Sequence, residues 1–290
     1  MRRARSTLFG EESMIKDIVT NLSLRNSRDV AMDFAVSTAA AFDAHLAGIA
    51  FVYEPIIPAM VDMYGMPPEV IESQRVENEN MAKAALGRFE DAARGAALSA
   101  EPRMVDAQVA TAPGRFADIA RRFDLSVLGQ PEPDQPTLDR LMIEAALFDT
   151  GRPMLVVPYI QRTGLKLDHI MLAWDGSRSA ARAAGDALPF IRRGKLVEIV
   201  IVASDGAKSD EMPGADIAQH LARHGAKVEL NRIVTTETDV ANTILSHAAD
   251  SSADFLVMGG YGHSRLREFI LGGVTREILT SMTIPTLMSH

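Results

Sequence analysis

Five glycines crowd the stretch MGGYGHSRLREFILGGVTREIL, Met258 to Leu279, directly after the apolar run Phe255–Val257. Their spacing is Gly259, two residues, Gly262, nine residues, Gly272, with Gly273 next. Glycine reaches positive φ without steric cost, so such a loop can turn consecutive N–H groups toward an anion. A helix opening after Gly272, through Gly273, Val274 and Thr275, would add more donors and a favourable dipole. The chemistry this pattern predicts is the grip of a phosphate chain from both ends of one loop. Ser264 and Arg265 inside the loop read either as groups reaching that phosphate or as solvated side chains. His263 is open to the same two readings. The glycines have an alternative of their own, because a glycine-rich turn after a strand can also serve close packing.

Other chemistries lack their parts. GHSRL resembles a serine nucleophile elbow, but Leu266 stands where the second glycine belongs and no acid and histidine complete a triad. His220 and His224 have helical metal spacing without a third ligand, so a solvated helix face is expected there. No cysteine is present, which excludes disulfides and thiolate chemistry. Walker A lysine, HxGH and SGGxDS patterns are absent, and with no general base visible at most slow ATP hydrolysis or self-phosphorylation is expected. The net charge of −8 argues against a nucleic-acid footprint. No apolar run approaches the about 20 residues that span a bilayer. MRRARSTLFGEES has no apolar core for a secretory signal and reads as a frayed tail or a start-site artefact, so a cytoplasmic location is expected.

The elements that must position the loop repeat along the chain. KDIVTNLSLRNSRDVAMDFAV aligns with DHIMLAWDGSRSAARAAGDAL, setting Ser23 opposite Asp175. DLSVLGQPEPDQPTLDRLMIEAALFDTGRPMLVVP aligns with DFLVMGGYGHSRLREFILGGVTREILTSMTIPTLM, setting Gly129 opposite Gly259. In each half, short apolar runs alternate with helical periodicity, the signature of βαβ units and a parallel sheet. Strands are expected near 15–22, 46–52, 105–110, 125–129 and 154–158, then 169–174, 197–203, 228–234, 255–259 and 285–288. Helices are expected over 69–94, 179–191, 215–224 and 240–249, the last capped by Asp239. The first half has extra residues in YEPIIPAMVDMYGMPPEVIES, Tyr53 to Ser73, read as a long loop packed on its own core, or as a lid or oligomer contact. PYIQRTGLK is the expected linker between domains at 14–160 and 161–290.

Two copies of a five-stranded α/β unit, AWDGS closing the first strand of the second copy, and the glycine loop after strand four resemble the universal stress protein family in its tandem form. The resemblance covers nearly the whole chain. It implies two Rossmann-like domains of the adenine nucleotide alpha hydrolase type, each with a five-stranded parallel sheet flanked by helices. It also implies an adenine nucleotide, ATP with or without Mg2+, bound in the second domain of a stress-response sensor. Asp175 would face the ribose, while Gly259, Gly262 and Gly272 would shape the phosphate loop. Asp175 has the alternative of capping the helix that starts near Ser179. Trp174 beside it is expected in the core.

Family members that bind ATP usually carry Ser or Thr after the last glycine, where this chain has Gly273. Losing one hydroxyl contact to a charged group costs about 1.5 to 3 kcal/mol. The first domain departs further, with Ser23 in place of the acid and prolines 131, 133 and 136 in its loop, so no nucleotide is expected there. Strand five of each copy, MLVVP and PTLMS, is expected to join the halves as an intramolecular pseudo-dimer, with a homodimer as a further level. The competing expectation is a ligand-free scaffold acting through protein contacts.

Overall fold

The structure is a computed structural model describing residues 15–24, 28–54, 67–131, 136–204, 214–235, 239–260 and 273–290. The first half runs β1 (Asp17–Asn21), α1 (Val30–Phe42), β2 (His45–Tyr53), α2 (Pro68–Gly95), β3 (Ala100–Ala107), α3 (Ala112–Ala120), β4 (Leu125–Gly129), α4 (Pro136–Asp149) and β5 (Met154–Val157). The second runs β6 (His169–Ala173), α5 (Arg178–Asp186), α6 (Leu188–Ile191), β7 (Leu196–Ser204), α7 (Ala215–Arg223), β8 (Val228–Thr235), α8 (Val240–Asp250), β9 (Phe255–Gly259), α9 (Gly273–Ser281) and β10 (Thr286–Ser289). Short strands alternate with helices throughout, as the two periodicities require.

The ten described strands form one sheet of order β3-β2-β1-β4-β5-β10-β9-β6-β7-β8, in which the second half repeats the order of the first in mirror sequence. Among the described strands the pairs within each half are parallel and only β5 and β10 run antiparallel, Leu155 opposite Leu287. That pairing hides the two edges that would otherwise be left open. It is the junction expected from MLVVP and PTLMS.

Sheet residues alternate between two cores, because successive strand side chains point to opposite faces. Ile18, Leu46, Leu155 and Val157 face one layer, while Val19, Ala47, Met154 and Val156 face the other. The inner strands are covered on both sides, so β5 is buried along its whole length. The first layer continues across the junction: Phe42 meets Phe190 edge-on at 5.0 Å, and Phe190 stacks on Phe255 at 5.0 Å. The Arg193 guanidinium lies 4.0 Å over the Phe42 ring. Across the same seam Leu165 N donates to Ser37 Oγ at 2.9 Å.

Three local expectations need correction. The third strand lies at Ala100–Ala107, not 105–110, and carries Pro102 at the sheet edge, where a missing N–H leaves few bonds unmade. The helix expected over 179–191 is two helices meeting at Ala187, because Pro189 lacks the N–H and crowds the preceding turn. The helix after β6 is capped by Ser177, whose Oγ accepts from Ala180 N at 3.1 Å, and not by Asp175. Asp239 does cap α8, accepting from Asn242 N at 3.0 Å. Of the Tyr53 to Ser73 stretch, 55–66 lies outside the described residues. The start of α2 beyond it is exposed, Val70 and Val76 included.

Candidate functional site

The candidate site sits at the carboxyl ends of β6 and β9, where open parallel sheets present ligand-binding loops. The two strands are hydrogen-bonded neighbours, Leu172 opposite Val257. Asp175 therefore follows one strand end while Gly259 closes the other. Asp175 is exposed, and its Oδ1 accepts from Ser177 N at 2.9 Å across Gly176, whose φ is +72°. This short turn brings the carboxylate to the edge of the sheet at the start of α5. Trp174 is half-buried against the core, as expected.

Gly259 has a packing reason to be glycine. A Cβ there would lie 2.5 Å from Ala180 N and 2.6 Å from the Ser179 carbonyl carbon. The end of β9 thus presses against the first turn of α5, and no other residue fits without moving backbone. At Gly129, its counterpart, the nearest atom to such a Cβ is Ala31 Cβ at 3.7 Å. Gly273 opens α9 with open space around it, Val274 is exposed and Thr275 is buried. Gly262, His263, Ser264, Arg265 and Gly272 lie outside the described residues. The site's rim also includes Ser177 and Ser179, whose hydroxyls are 3.1 Å apart. The sequence reading missed them, although two serines in DGSRS at a helix start were a legible signal.

The matching corner of the first half is occupied by its own chain. Ser23 N donates to Asp29 Oδ2 at 2.6 Å, Met32 N donates to Asp29 Oδ1 at 3.0 Å, and Arg88 Nη2 donates to Ser23 O at 3.0 Å. Burial pushes the Asp29 carboxyl up, against the lowering effect of those two backbone N–H groups. After β4, Gln130 donates through Nε2 to the carbonyls of Leu279 and Thr280 at 3.0 Å and accepts from Tyr159 N at 3.3 Å. It ties the first half to the end of α9.

Elsewhere, His220 and His224 contact each other edge-on at 4.7 Å, and Arg192 Nη2 lies 3.2 Å from His224 Nδ1. Among the described residues no group of three or more His, Cys, Asp or Glu could hold a metal ion. No described helix is long and apolar enough to cross a membrane.

Fold and site together define a doubled, parallel-sheet α/β protein with a loop-built corner at the strand ends of its second half. Residues 166–290 match the family model described as Universal stress protein family. The match covers most of the second half of the chain. Universal stress protein Slr1230 from Synechocystis sp. (strain ATCC 27184 / PCC 6803 / Kazusa) is 28% identical over 179 residues, 59% of each chain. The match thus spans about 59% of that relative's length. A universal stress protein from Archaeoglobus fulgidus DSM 4304 superposes with a TM-score of 0.71 at 14% identity, over 94% of this chain and 97% of that one. A functionally unknown protein, PA1789, from Pseudomonas aeruginosa PAO1 superposes at 0.60 and 13% identity, over 95% and 92%. At these identities the likeness is one of fold.

Proposed function

We propose that the chain is a stress-response sensor or regulator that binds one adenine nucleotide, ATP, in a C-terminal domain at 161–290. The domain at 14–160 serves as its packing partner without a nucleotide of its own. The observation that carries this reading is the asymmetry of the two strand-end corners. In the second half an exposed carboxylate, Asp175, stands beside the strand end that leads into the glycine loop. In the first, Ser23 is held by Asp29 and Arg88, and Gln130 is spent on α9. The family match over the second half supports the same assignment.

In this reading the Asp175 carboxylate accepts from ribose hydroxyls, and the N–H groups of the 259–272 loop and the start of α9 meet the phosphates. Binding is the proposed activity, with at most slow ATP hydrolysis or self-phosphorylation beside it. One observation favours a ligand-free scaffold: the contact of Gly259 with Ser179 and Ala180 explains that glycine by packing alone.

Isothermal titration with ATP and magnesium separates the two. A nucleotide sensor loses affinity about tenfold or more in Asp175→Ala, the worth of a hydrogen bond to a charged group. Gly262→Val should lose it as well, both variants keeping the wild-type circular dichroism. A scaffold gives no heat with wild type at any ATP concentration.

A further inference from the structure

A carboxylate lies inside the second half where the first half has an alanine. Glu198, in the β7 run LVEIVIVAS, is 7% exposed. Its Oε2 meets His169 Nε2 at 3.0 Å, and its Oε1 meets His247 Nε2 at 2.8 Å and Asn231 Nδ2 at 2.9 Å. These partners come from β6, α8 and β8, so one carboxylate joins four elements. His169 also places Nδ1 3.1 Å from the carbonyl oxygen of Ser251, the residue that ends α8.

The repeat supplies a control built into the same chain. Met171 pairs with Glu198 in the second half as Val19 pairs with Ala47 in the first. Counting from Gly129 and Gly259, Ala117 of α3 stands opposite His247 of α8. Ala47 and Ala117 are both buried, so this fold closes without charge at these places. A buried ion pair adds little stability over apolar packing. What the cluster adds, and alanine cannot, is dependence on protons.

The count of hydrogens is decisive. A neutral imidazole has one N–H, and His169 turns both ring nitrogens to oxygen acceptors. Both contacts are hydrogen bonds only while the His169 and Glu198 pair holds one proton more than a neutral ring and a bare carboxylate. Remove it, and a ring lone pair faces an oxygen lone pair, so the link to Ser251 or the link to Glu198 fails. His247 meets Glu198 through one nitrogen, for which a single hydrogen suffices.

We propose that His169 and Glu198 form a proton-dependent staple, which fastens the end of α8 to β6 and β7 and loosens when the proton they share is lost. Its contribution to stability is present while the pair holds that extra proton and is lost with it. The charged groups packed around the pair are Asp254, which accepts from Asp168 N and His169 N, Asp168 with Lys195 Nζ at 2.6 Å, Glu229 beside Glu198 in the register, and Asp250 at the end of α8. The inference is independent of nucleotide binding.

Hydrogen exchange of the full chain between about pH 5 and pH 8, the range in which histidine changes charge, tests it. After correction for intrinsic rates, opening of amides at the end of α8 and the start of β6 should rise with pH by up to about tenfold per unit, the limit for one linked proton. The matching amides of α3 should not respond. His169→Gln keeps a donor without a titration and should abolish the α8 response, and Glu198→Ala, which copies Ala47, should do the same. The His169 ring nitrogen shifts should report two bound hydrogens below the transition and one above it. Equal responses in α8 and α3, an α8 response that survives His169→Gln or Glu198→Ala, or a ring with one hydrogen throughout would overturn the proposal.

Discussion

Gly259 and Gly129 end the matching strands β9 and β4, and one methyl group added to each makes a controlled comparison. On Gly259 the methyl carbon would sit 2.5 Å from Ala180 N and 2.6 Å from the Ser179 carbonyl carbon. Both atoms are backbone of the first turn of α5, fixed by the Ser177 cap. Relief requires shifting the helix or the strand. On Gly129 the same methyl meets Ala31 Cβ at 3.7 Å, an ordinary contact. Overpacking of this kind costs about 1 to 3 kcal/mol. Replacing glycine by alanine also restricts the unfolded chain, worth about 0.4 to 1 kcal/mol in favour of folding. That term is common to both variants and cancels when they are compared. Gly259→Ala should therefore be less stable than Gly129→Ala by about 1 to 3 kcal/mol. Urea unfolding would measure it, followed by far-UV circular dichroism and by fluorescence of Trp174, the only tryptophan, which stands just before the Asp175 turn. Equal midpoints, or Gly129→Ala the weaker of the two, would refute the packing argument.

Phe42→Ala, which empties an aromatic contact between the halves, should cost about 3 to 5 kcal/mol in denaturant unfolding. Gln130→Ala removes the donor shared by Leu279 O and Thr280 O and should cost about 1 kcal/mol, with faster exchange in the last turn of α9. Burial resists ionisation of Glu198, but hydrogen bonds from Asn231 and His247 and the charges of His247 and His169 outweigh it, holding the carboxyl below its ordinary value of 4.5. A depressed folded value means stability that is present above the ordinary carboxylate range and lost as pH falls through the folded value. Acid unfolding of Glu198→Gln should accordingly show a flatter limb below the ordinary carboxylate range than wild type.

Much of the architecture was legible because burial and period coincide. β4 and β9 were bounded correctly by apolar runs ending in glycine, and the α8 cap by an aspartate before a helical period. β3 was misplaced because an edge strand carrying Pro102 and the Glu101 and Arg103 pair has no apolar run to mark it. The break at Ala187 was overlooked because the alanine-rich period runs through it, and the force of Pro189 is felt one turn earlier. At the candidate site, Gly259 was legible from the glycine spacing and Asp175 through the family resemblance, and their adjacency follows from the strand order. The contact behind Gly259 was beyond reach, because it depends on a helix far away in sequence. The Glu198 cluster had one visible sign, a lone acid in an apolar strand. Its histidines come from distant segments that only the sheet register brings together.

The second half of the chain is proposed to bind one nucleotide. Native mass spectrometry of the intact protein, before and after incubation with ATP and magnesium, tests it most directly. A mass increment of a single nucleotide per chain, lost in Asp175→Ala, is expected. Two nucleotides per chain, or none with ATP in excess, would contradict it.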